Sequence, residues 1–212
     1  MALTNVRNRP NRLRRAFTLI ELLVVTAIIV VISAVILANN NRFGGVVLLE
    51  NLAYSVALSI RQAQVYGISV ARFQGSNFTA GYGVHFDISS PNIYALFADA
   101  LQANGMYDCP QPGTNNCELV QTNSISPGYS IQNLCVTPAS GSTETCGISK
   151  LDVVFIRPEP DAWISSNGVS CIVDNSTCAR SARIVLVSPR SDLMSVTIAA
   201  NGQISVVPGT TR

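Results

Sequence analysis

Glu21 is the single acid in an otherwise apolar run, LIELLVVTAIIVVISAVIL, from Leu19 to Leu37. A carboxylate in a membrane-length helix costs about 2.5–3.5 kcal/mol on insertion scales, so such a residue is expected to have a function and a partner. Six cysteines form the second reactive set: Cys109, Cys117, Cys135, Cys146, Cys171 and Cys178, all beyond the apolar run. An even number outside a membrane suggests disulfides, because that compartment is oxidising. Six cysteines allow 15 pairings; grouping into three close pairs favours Cys109–Cys117, Cys135–Cys146 and Cys171–Cys178. Zinc is the alternative, but there is no C-x-x-C and His85 is the sole histidine. His85 stands beside Asp87 in a strand-like run. With no G-x-S-x-G, P-loop or metal-protease motif to accompany it, no enzyme is expected.

The residues before Glu21 supply its context. Arg15-Ala16-Phe17-Thr18-Leu19-Ile20-Glu21 follows a basic leader and precedes the apolar run directly. This order resembles the processing site of type IV prepilins and type II secretion pseudopilins. The family usually has Gly before the cut, where this chain has Ala16, also small. The resemblance implies that prepilin peptidase removes residues 1–16 and that Phe17 becomes the N-methylated terminus. The new amine then lies four residues before Glu21, where a neighbouring subunit can offer its own amine to the carboxylate. Glu21 is thus expected to set assembly register, with Thr18 bonding back to its own helix or filling space. A secretory signal would instead place an A-x-A-like site after a shorter core.

Charge agrees with that reading. Arg7, Arg9, Arg12, Arg14 and Arg15 lie in the leader, which has no acid. The remainder holds nine basic and twelve acidic side chains, a net −3. Arginines before the span and only Arg42 close after it place the N-terminus in the cytoplasm by the positive-inside tendency. The C-terminal domain then faces outward. A mildly acidic ectodomain gives no electrostatic case for nucleic acid as a partner.

The elements that must position these residues are a long helix and a β-rich domain. No proline occurs between Pro10 and Pro91. Roughly 22 residues from Phe17 give a helix of about 33 Å, enough to cross a bilayer core. After Gly44-Gly45, a hinge or weak point, apolar residues recur at Leu49, Leu52, Ala53, Val56, Ile60 and Ala63, a helical stripe. Gly67 is expected to end the helix as a left-handed cap. Strands are expected at Ile68–Phe73, Gly83–Ile88, Ile93–Phe97, Tyr129–Leu134, Leu151–Ile156, Arg183–Val187, Met194–Ile198 and Gln203–Val207. Asn201-Gly202 signals a closing hairpin, and Gln102–Thr122 reads as an irregular loop.

The fold class is therefore α+β and pilin-like: a long N-terminal helix, half membrane span and half amphipathic, packed on an antiparallel β-rich domain. The expected segments are 1–16 leader, 17–42 transmembrane and filament-core helix, 43–67 amphipathic half and 68–212 extracytoplasmic domain. Glu50 to Gly67, ENLAYSVALSIRQAQVYG, and the terminal Val196-Thr197-Ile198 to Val206 resemble the minor pseudopilin H and FimT-like group. The resemblance implies a structural subunit of a pilus or pseudopilus, with other subunits, prepilin peptidase, an inner-membrane assembly platform and membrane lipid as partners and no cofactor. It also raises two variants. Calcium could use Asp174-Asn175-Ser176, and DNA could use Arg180, Arg183 and Arg190; neither set is rich enough to be expected as a site. An adhesive or DNA-binding filament-tip subunit, or an unprocessed single-span anchored protein, is the alternative.

Overall fold

The computed structural model describes residues 17–69, 72–73, 80–110 and 117–209, with the backbone alone for 38–44. Ala16 and the rest of the leader lie outside the described residues. Helix α1 runs from Leu19–Ile68, 50 residues, and continues through Gly44-Gly45 without a break. Contacts divide the chain into two units, 1–43 and 44–212.

In the first unit the stretch Leu19–Leu37 is long and apolar enough to cross a membrane, with mean hydropathy 3.0. Every described side chain from 17 to 37 is exposed. An apolar surface of this extent marks contact with lipid or with another chain.

In the second unit the expected stripe is the buried face of α1: Leu49, Ala53, Val56, Ile60 and Ala63 are fully buried. They pack against two five-stranded antiparallel sheets. The strands are β1 (Gly81–Asp87), β2 (Ile93–Asp99), β3 (Leu119–Ser124), β4 (Ser130–Pro138), β5 (Thr145–Cys146), β6 (Lys150–Phe155), β7 (Ala162–Ser166), β8 (Ala179–Val187), β9 (Leu193–Ala199) and β10 (Ile204–Pro208). The first sheet is ordered β3-β2-β1-β6-β7 and the second β10-β9-β8-β4-β5. Strand alternation turns Val84, Phe86, Leu96 and Val153 toward the helix, which leaves His85 and Asp87 on the opposite face. In the second sheet Ile184 pairs with Leu134 and Val196, filling the same core.

Three expectations need correction. Gly67 is not a left-handed cap: α1 continues to Ile68, and the Ser69 amide still donates to the Val65 carbonyl at 2.9 Å. The glycine is needed for closeness, since a Cβ there would lie 2.2 Å from the Phe155 carbonyl oxygen. The strand expected at Ile68–Phe73 is therefore helix at its start; residues 70–71 lie outside the described residues and 72–73 carry no strand. The irregular loop at Gln102–Thr122 ends in β3. This edge strand, mostly exposed and polar, lacks the alternation that marks a half-buried strand. Strand β7, just after Pro158-Glu159-Pro160, lies outside the expected set, because Ala162–Ser166 holds no long β-branched run.

The last hairpin closes where expected. Gly202 donates to the Ala199 carbonyl at 2.9 Å and alone in the turn takes a positive φ, +77°. A type I′ turn would need positive φ at both central residues.

Candidate functional site

The start of α1 is built by two residues that cap each other. The Glu21 amide donates to the Thr18 hydroxyl oxygen at 3.3 Å, while the Thr18 amide and hydroxyl lie 3.4 Å from Glu21 Oε2. Thr-x-x-Glu before an apolar run is a capping box, which satisfies amides that the first turn leaves without intrahelical partners. The carboxylate also lies in the first turn, where the helix dipole favours negative charge. Phe17 stands just before the cap, 80% exposed. The structure thus gives Thr18 the backbone-directed bonding the sequence allowed. It also gives Glu21 a local partner that sequence reasoning missed, although the T-L-I-E spacing was the signal for it.

The six cysteines are joined as Cys109–Cys117, Cys135–Cys146 and Cys171–Cys178. Among the described residues one cluster has metal-ligand spacing, Cys135, Glu144 and Cys146. Its sulfurs are consumed in a disulfide, and Glu144 is taken by Arg183, whose Nε donates to Oε1 at 2.7 Å. That carboxylate also holds the Arg183 charge firmly, raising its pKa through the hydrogen bond. Arg180 donates to the Ala139 carbonyl at 3.1 Å. Both Arg180 and Arg183 are thus engaged in the fold. Asp174 Oδ1 accepts from the Ser176 amide at 2.9 Å and its hydroxyl at 2.6 Å, capping a 3-10 turn at Asn175–Thr177.

A set of buried polar groups shapes the outer domain, and the sequence did not single them out. Tyr107 lies over the outer face of the first sheet, its amide on Asp152 and its ring against His85 and Phe97. Glu118, fully buried, accepts from the amides of Ala100, Leu101 and Asp108 at 3.0, 2.8 and 3.1 Å. Asp99, 2% exposed, accepts from Asn104 and Gly105 at 3.0 and 2.9 Å. Asp152 accepts from the Tyr107 amide at 3.2 Å and lies 2.7 Å from His85 Nδ1, so His85 pairs with Asp152 rather than with its neighbour Asp87. Burial pushes Asp99 up to about 6, with Glu118 and Asp108 adding repulsion against its two amide bonds. Burial likewise raises Glu118 above the usual carboxylate range. On α1, buried Gln64 donates to the carbonyls of Pro160 at 2.9 Å and Gly202 at 3.1 Å, tying helix to last hairpin.

Residues 11–37 match the family model described as the prokaryotic N-terminal methylation motif. No curated protein and no solved structure matches the chain.

Proposed function

We propose, on the N-terminal methylation motif that supports membership of the type IV prepilin and pseudopilin family, that the protein is a membrane-anchored structural subunit assembling through its N-terminal helix. The observation that carries this reading is the pairing of that motif with a helix start whose apolar surface is exposed while its one acid is capped. Prepilin peptidase would cut between Ala16 and Phe17, and the Phe17 amine would be methylated. The leader arginines favour a cytoplasmic N-terminus and an outward C-terminal domain.

Assembly then rests on packing and one ion pair. Lipid tails are as apolar as these side chains, so hydrophobic burial alone gives little preference for one helix register over another. A carboxylate at a fixed depth does. Thr18 holds Glu21 at the helix start, and a neighbouring subunit's Phe17 amine completes its coordination, fixing axial position. The role is that of a minor subunit, on the likeness of Glu50 to Gly67 to the pseudopilin H and FimT-like group. The outward domain, pinned by three disulfides, would meet other subunits or cargo.

The test is incorporation. Tagged full-length chain, produced in its native host with the assembly platform intact, is expected in the sheared filament or pseudopilus fraction. Retention of all tagged chain in the membrane would overturn the assembly reading.

A further inference from the structure

The face of the first sheet turned away from α1 bears two adjoining hollows that share His85, Asp87 and Tyr107. One, about 290 Å³, is walled by Ile93, Ala95 and Leu119. The other, about 370 Å³, is walled by Asp108, Lys150 and Asp152. Each is near the lower end of the size range of small-ligand sites, about 300–1,000 Å³. The pair combines an apolar side with convergent polar groups, which is the usual make-up of such sites.

The polar side selects for positive charge. Three carboxylates border it against one ammonium, that of Lys150. Partial burial works against the Asp87 charge, but hydrogen bonds from the Ser89 hydroxyl and amide, with Lys150 nearby, hold its pKa below the usual range. The Lys150 ammonium is 4.0 Å from Asp87 on a half-exposed side chain, a loose pair of the kind worth little in water. Asp152 fixes the His85 ring through Nδ1, and His85 Nε2 has no hydrogen bond among the described residues, so a free polar ring edge borders both hollows. The Tyr107 ring packs 5.0 Å from the His85 ring and 5.5 Å from Phe97, which fixes the wall between the hollows.

We propose that this groove binds an amphipathic organic cation. The apolar arm lies against Leu119 and Ile93. The ammonium or guanidinium end meets Asp87, displacing Lys150, with the Tyr107 ring alongside. This chemistry has two sources, a free amine or a basic side chain beside an apolar one in a peptide.

The experiment is NMR titration of the full-length, isotopically labelled chain in detergent micelles. The probes are phenethylamine, its neutral analogue 2-phenylethanol, and the blocked dipeptide acetyl-Lys-Phe-amide. Phenethylamine is expected to shift His85 and Tyr107 saturably, less so at high salt, and to bind about tenfold tighter than 2-phenylethanol, as a charge-assisted hydrogen bond allows. Asp87→Asn still accepts from Ser89 and is expected to lose about tenfold in amine affinity with other resonances unmoved. Tighter binding of the dipeptide assigns the site to a peptide, and tighter binding of phenethylamine assigns it to a free amine. No saturable shift from either cation, equal binding of the alcohol, or unchanged affinity in Asp87→Asn would overturn the proposal.

Discussion

Asp99 and Glu118 are buried carboxylates at the two ends of the connection between β2 and β3, and together they accept five backbone amides from residues 100–108 of it. Neither is paired with a cation among the described residues. The loop is thus held by charge that its own burial disfavours.

Stability should follow. Asp99 rises from an ordinary 3.8 to about 6 in the folded chain, so the folded state binds the proton more tightly. Its contribution is present in full below about pH 4 and is lost as pH rises through about 6. Glu118 acts in the same direction; Asp87, lowered on folding, acts oppositely below about pH 4. Chemical denaturation between pH 4.5 and 7, a window chosen on these grounds, is expected to show stability falling by on the order of 2 kcal/mol. In Asp99→Asn that slope should shrink, and an unchanged slope would refute the assignment.

Two glycines of α1 should respond in opposite ways to alanine. Gly67→Ala places a methyl 2.2 Å from the Phe155 carbonyl oxygen, a backbone atom that cannot swing aside. A loss of about 1–3 kcal/mol or more is expected, as for overpacking. Gly45→Ala meets nothing within 4 Å and lies in helix. It should stabilise by up to about 1 kcal/mol. Thermal melts of both variants in the same detergent decide the matter.

Gln64 carries the tie between α1 and the β9–β10 hairpin. Gln64→Ala leaves two carbonyls without their donor and should cost about 1–3 kcal/mol. Hydrogen exchange is expected to rise first at Gly202 and its neighbours. Uniform acceleration across the domain would mean the contact is not a local tie.

At the helix start, charge and cap can be separated. Glu21→Gln keeps a residue that serves in a capping box but removes the negative charge. It should insert and be processed normally, yet fail to enter filaments. Thr18→Ala removes the cap and should cost about 1 kcal/mol locally, while filament entry falls only in part. Full incorporation of Glu21→Gln would assign Glu21 to capping alone.

The helix and most of the strands were legible because their burial is periodic: Leu49 to Ala63 repeats at helical spacing, and Leu151 to Phe155 and Arg183 to Val187 are dense in β-formers. The methylation motif was legible because cleavage and insertion depend on local sequence. Gly67 misled because a close approach and a left-handed cap both call for glycine, and only the position of Phe155 separates them. Asp99, Glu118 and Gln64 were invisible for a related reason. Their partners are backbone groups, which carry no sequence signature, and an acid near a loop usually reads as solvated. The capping box is legible in the Thr18-Leu19-Ile20-Glu21 spacing, although an acid in an apolar run points equally to a charge partner in another chain.

The most direct measurement is the intact mass and N-terminal sequence of the membrane-extracted protein from its native host. A chain beginning at N-methylated Phe17 is the predicted result. A chain still beginning at Met1 would contradict the account, because no Phe17 amine would exist to meet Glu21 of a neighbouring subunit.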